Sequence, residues 1–154
     1  MKVHVRLSTQ DDVDYLANNL RPEDREEVRA SHGSSQEALQ TSFDESDECW
    51  TIVVTDTKEI AGMYGVGELE QGVGIPWLLT APALEKIYIP FLRQSKQWVK
   101  KINKKYPVLT NAVDEDYKVS IKWLQFVGFT FIKRHETWGV GSKPFLEFVR
   151  IDND

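Results

Sequence analysis

Cysteine is nearly absent from this chain: Cys49 is alone among 154 residues, so no internal disulfide can form and a reducing compartment is the expectation. No histidine or clear basic partner adjoins it, so it reads as a small packed thiol, not a nucleophile. Long hydrophobic runs are missing too. The longest uncharged stretch, residues 71–84, is too short and too rich in Gly and Pro to span a bilayer. The first residues show no apolar segment of the secretory kind, and a soluble protein is expected. Histidine is sparse: His4, His32 and His135 stand singly, without metal-ligand spacing. Neither a nucleophile elbow nor a glycine-rich phosphate loop is present. Repeats, low-complexity tracts and linkers are absent, which points to one domain over residues 1–154.

What is present is an ordinary globular balance, 41% hydrophobic and 28% charged, which suffices for a core without staples. Five tryptophans favour broad aromatic packing, with a contact surface as the alternative. The net charge of −5 hides a division. Residues 1–50 hold twelve acids against five basic residues, whereas residues 86–105 hold seven Lys or Arg and no acid. That pattern argues against a uniformly basic nucleic-acid binder and leaves a local positive face.

Periodicity supplies the elements. Val3, Val5 and Leu7 alternate with polar neighbours as a half-buried strand. Ser8 or Thr9 caps a helix with Asp11 and Asp12 in its first turn and Val13, Leu16 and Leu20 as its apolar stripe. Pro22 opens a second, mostly charged helix that should bury little, to about Ser31, with Gly33 as its stop. A third helix over 35–45 sets Leu39 and Phe43 one turn apart. Alternation at Trp50, Ile52 and Val54 gives a strand, and residues 60–69 give its hairpin partner. Gly62, Gly65 and Gly67 there mark a bulge or a close backbone approach. A further strand over 75–80 contains Pro76, an irregularity in any ladder. The longest helix, 89–104, aligns Phe91, Leu92, Ser95, Trp98, Val99 and Ile102 on one face and lysines on the rest. Strand 108–113, a short amphipathic helix from 117 closing on Gly128, and strands near 129–137 and 144–151 complete the order β-α-α-α-β-β-β-α-β-α-β-β, an α/β fold with a mixed sheet covered by helices.

That order, with a penultimate helix leading into Gly128-Phe129, resembles the fold of the Gcn5-related N-acetyltransferases over nearly the whole chain. Within it, Met63-Tyr64-Gly65-Val66, Gly74-Ile75-Pro76-Trp77, Ser120-Ile121 with Trp123-Leu124-Gln125, and Gly128-Phe129 are similar to a small family of internal virion or morphogenesis proteins of short-tailed, T-odd-type bacteriophages. The resemblance implies a GNAT-like domain acting in virion assembly, with phage virion or assembly proteins, or a host protein, as partners. It places the chain in the host-cell cytoplasm or the virion.

The residues depart from the enzymes where chemistry is concentrated. The family's Gln/Arg-x-x-Gly-x-Gly/Ala loop presents backbone N–H groups to the pyrophosphate of coenzyme A. Residues 80–88, Thr-Ala-Pro-Ala-Leu-Glu-Lys-Ile-Tyr, contain no glycine, one proline and an acid, and Lys86 reads as a surface lysine. The tyrosine that protonates the leaving thiolate is replaced by Leu124. Tyr117 stands where the helix usually starts with Asn, and reads as a surface or packing residue two turns away. Ser120 reads as a small residue for close helix–sheet contact. Glu68 and Glu70 are the candidate general bases, and Asp114-Glu115-Asp116 reads as a solvated turn, not a metal site. No catalytic or metal residue is assigned, and no cofactor is expected. The alternative is an active acyl-CoA-dependent N-acetyltransferase with an atypical pyrophosphate loop, modifying a host protein. Acetyl-CoA would then lie against Leu79, Thr80 and Ser120, where strands 78–80 and 108–113 splay apart. The lysine face over 93–105 reads as solvated, which makes nucleic acid a weaker third partner.

Overall fold

In the computed structural model, which describes residues 2–152, seven strands form one sheet. The expected span 1–154 includes Met1, Asn153 and Asp154, which lie outside the described residues. In chain order the elements are β1 (Val3–Leu7), α1 (Gln10–Ala17), α2 (Pro22–Ser31), α3 (Ser35–Glu45), β2 (Glu48–Val54), β3 (Ile60–Glu70) and β4 (Val73–Thr80). A 3₁₀ segment (Pro82–Ile87) leads into α4 (Tyr88–Lys105), followed by β5 (Val108–Asp114), α5 (Lys118–Phe126), β6 (Thr130–Trp138) and β7 (Lys143–Ile151). The strands lie in the order β1-β2-β3-β4-β5-β7-β6, and every pairing is antiparallel except β4 with β5.

The helix starts are locally encoded. Thr9 accepts from the Asp12 amide while Asp12 accepts from the Thr9 amide, a capping box. Pro22 occupies the first turn of α2, and Ser34 caps α3. Gly128 ends the α5 region at φ +98°, the left-handed geometry in which a side chain is strained. A Cβ there would also meet Arg150 Nε at 2.9 Å.

Alternation along the strands divides the interior into two clusters on opposite faces of the sheet. Val13 and Leu16 from α1, Leu20 beyond that helix's end (expected within it) and Leu39 from α3 pack with Met63 and Leu79 on one face. Ile52, Tyr64 and Val66 pack with Phe91, Val99, Ile102 and Leu124 from α4 and α5 on the other. All five tryptophans are half-buried, which favours the packing reading over an exposed tryptophan surface. Four of their rings belong to stacked or edge contacts, as in Trp50–Tyr64–Trp98 with centroids 5.5 and 4.7 Å apart. The close approach anticipated at the β3 glycines is real: a Cβ on Gly62, Gly65 or Gly67 would lie 2.7 Å from a backbone oxygen.

Candidate functional site: a cleft between β4 and β5

The parallel β4–β5 ladder holds only at Val73↔Val108 and Gly74↔Leu109, and Pro76 explains why it stops. Its nitrogen carries no hydrogen, so the next ladder bond cannot form. The Asn111 side chain instead donates to the Pro76 carbonyl at 2.7 Å, bridging the strands where they part. Beyond it lies a cavity of about 460 Å³, within the range of small-molecule sites. It runs through the sheet, touching α2 and α3 on one side and α4 and α5 on the other. Trp77 and Trp123 line it without filling it. Trp77 is held by Ser46 Oγ at 2.7 Å, and Trp123 by Ser95 Oγ at 3.1 Å while it stacks on Phe91.

A polar network sits at the far end of the gap. By the alternation of the β3–β4 ladder, Pro76, Leu78 and Thr80 turn their backbone groups toward β5. Thr80 is fully engaged by α2: its N–H donates to Asp24 Oδ2 at 2.6 Å, and its carbonyl accepts from the Arg21 N–H at 2.9 Å. The Thr80 hydroxyl also donates to Asp24 Oδ2. Tyr117 Oη donates to Asp24 Oδ1 at 2.5 Å and accepts from Arg21 Nη2 at 2.8 Å. Among the described residues, Leu78 is left as the gap-facing residue of β4 with both backbone groups open toward the cavity.

Burial sets the protonation of this network. It raises the Asp24 carboxyl, against the opposing pull of Thr80, Tyr117 and Arg21. It raises the Tyr117 phenol too, reinforced by the neighbouring Asp24. Glu27, one turn along α2, accepts the Asp114 N–H at 3.0 Å; burial pushes it up to about 8, with Asp24 and Asp114 adding to the rise. Arg21 Nε is buried without a hydrogen bond, with the Glu23 carboxylate 3.8 Å away.

Two expectations need correcting, those for Tyr117 and α2, and the other candidates take definite places. Tyr117 is not a surface group: it is 9% exposed and reaches across the gap to α2. Helix α2 does not bury little, since it carries Asp24 and Val28 inside. The expected site residues Leu79, Thr80 and half-buried Ser120 all border the gap, and Leu79 also belongs to the core cluster under α1 and α3. Glu68 and Glu70 are exposed at the hairpin end. Asp114 pairs with Lys143 at 2.9 Å and Glu115 with Arg134 at 3.1 Å, so these acids diverge. Cys49 is half-buried beside Ser8 Oγ at 3.4 Å, and burial raises its thiol.

Coenzyme A fits this chain in part only. The cavity has room, but residues 82–87 wind into a 3₁₀ helix that buries Ala83, Leu84 and Ile87 and leaves no glycine loop for a pyrophosphate. Lys86 is committed to Glu59 at 2.7 Å. The pantetheine arm carries two amides, each of which needs a partner in a buried cleft. On β4 the cleft offers the backbone of Leu78, while the Thr80 amide and the Pro76 carbonyl are taken. Leu124, where the enzymes keep a tyrosine, is buried.

No protein-family model matches the sequence, and no curated protein matches it. Solved structures do. The chain is similar to a GNAT-family acetyltransferase from Bacillus anthracis, with a TM-score of 0.73 at 7% identity over 100% of this chain and 97% of that one. It is similar to spermidine N-acetyltransferase from Vibrio cholerae in complex with CoA and spermine, at 0.70 and 10% identity over 97% and 95%. An aminoglycoside acetyltransferase in complex with coenzyme A matches at 0.68 and 16%, again over 97% and 95%. The chain therefore has the GNAT acetyltransferase fold. At these identities the likeness concerns the fold alone.

Proposed function

We propose that this protein keeps the acetyltransferase fold as a binding scaffold, without acetyl transfer from coenzyme A, and acts in phage virion assembly or as an internal virion protein. The carrying observation is Asp24. Its carboxylate saturates the Thr80 amide and takes the Tyr117 hydroxyl, so a backbone donor and a proton donor at the parting of β4 and β5 are spent on the protein itself. The missing cradle and Leu124 support the same reading.

The phage part rests on the four sequence blocks, and their placement supports it. Tyr64 and Gly65, Pro76 and Trp77, Ser120 and Trp123, and Phe129 all line one cavity. Segments far apart in sequence thus share one surface, which suits a cleft kept for contact with another virion or host protein. On this reading residues 1–154 act as one domain in the host cytoplasm or the virion. No helix among the described residues is long and apolar enough to cross a membrane.

Incubation with acetyl-CoA and a panel of amines, following release of the free thiol, tests the reading. Release at the buffer rate is expected; steady turnover would sink it. One observation favours a second reading, in which a residual acyltransferase uses an atypical loop: the gap is open, and the Leu78 backbone faces it.

A further inference from the structure

The chain's charge is sorted by face. Helices α1, α2 and α3 carry ten acidic and two basic residues. Helices α4 and α5 carry eight basic residues and none acidic. The two sets cover opposite faces of one sheet, so a net charge of −5 averages two fields of opposite sign. Asp12 and Asp24 are buried, but most of the remaining acids are exposed.

Little of this charge is neutralised within the chain. Lys105 reaches Glu48 at 3.5 Å; the other cations of α4 and α5 make no ion pair among the described residues. Each face also offers apolar area to dehydrate. Ile89, Val119 and Phe126 are 56, 52 and 43% exposed on the basic side. Tyr15 and Val140, 45 and 69% exposed, stand on or beside the acidic helices.

We infer that the α4–α5 face of one copy docks on the α1–α3 face of another, head to tail. Charge complementarity argues for this occupant: the chain itself presents the acidic surface that its basic surface lacks, with apolar residues on both. A nucleic acid would engage one face only and leave the other unused. Because donor and acceptor faces differ and lie back to back, two copies cannot satisfy both, and the contact propagates to rings or open chains. This goes beyond the proposed assembly role and does not depend on whether the cleft takes coenzyme A.

Sedimentation velocity on the full chain tests it. At about 10 mM salt, where charges act over roughly 30 Å, the weight-average mass should rise with concentration past the dimer. At about 1 M salt, with a range of roughly 3 Å, it should return to the monomer. Two charge-reversed variants sharpen the result: K100E/K101E/K104E on the basic face, and D14K/E37K/D44K on the acidic face. Each alone should stay monomeric at low salt, and their equimolar mixture should associate again. A wild-type chain monomeric at low salt overturns the inference, as does a closed dimer indifferent to salt. A mixture that fails to associate, although both variants retain the far-ultraviolet dichroism of the parent, also overturns it. So does a low-salt monomer that binds a DNA oligonucleotide, which would assign the basic face to nucleic acid. The salt series needs no variant, so misfolding of one cannot shield the idea.

Discussion

Asp24 takes three hydrogen bonds at one carboxyl group, from the Thr80 amide, the Thr80 hydroxyl and Tyr117. Asp24→Ala strands those donors in a buried site, and an equilibrium urea titration should show a loss of about 3–5 kcal/mol. Tyr117→Phe removes one hydroxyl and should cost about 1–2 kcal/mol; a loss no larger than that of a surface change would mean the network does not hold α2 to α5. Glu27 makes stability depend on pH in a definite direction. Its carboxyl is raised from an ordinary 4.5 to about 8 in the fold. Between those values the folded chain therefore binds the extra proton, and stability falls as pH rises through the window. Glu27→Gln should flatten that slope in urea midpoints taken from about pH 5 to about pH 8. None of this was legible in the sequence. Asp24 and Tyr117 lie 93 residues apart, and counting positions along α5 could reveal only the missing tyrosine at Leu124. The one readable hint was a tyrosine at the start of the helix that follows β5.

At the scale of elements the sequence was far more informative, because caps and alternation are local. Thr9 and Pro22 mark the starts of their helices, and the strand periods mark both faces of the sheet. Pro76 marks an irregularity in the sequence itself; that it opens the cleft follows only from the parallel neighbour it cannot bond. The 3₁₀ segment has no such local mark: three apolar side chains wind residues 82–87 inward, which only the packing beneath them reveals. Asn103 was hidden among lysines. It is fully buried in α4 and donates to the carbonyls of Tyr106, Pro107 and Arg150, while Arg150 Nη1 donates to its side-chain oxygen at 2.5 Å. Asn103→Leu leaves carbonyls and a guanidinium without their partner and should destabilise by about 2–4 kcal/mol in thermal or urea unfolding. Gly128→Ala, forced to φ +98° against Arg150, should cost about 1–2 kcal/mol. Wild-type stability in either variant would contradict the packing described for the α4, α5 and β7 junction.

For the molecule as a whole, the order of elements sufficed to indicate the acetyltransferase fold, and the structural neighbours agree at TM-scores up to 0.73. On the proposed reading fold and chemistry part company: the strands splay and leave a cavity of about 460 Å³, while the Thr80 amide is bonded to α2 and residues 82–87 are wound into the 3₁₀ segment. Calorimetric titration of the full chain with acetyl-CoA tests that central claim most directly. No saturable heat is expected up to about 1 mM ligand, corresponding to binding weaker than about −4 kcal/mol. A saturating isotherm with a micromolar dissociation constant would contradict it, showing that the cleft accepts the coenzyme despite Asp24 and the missing loop.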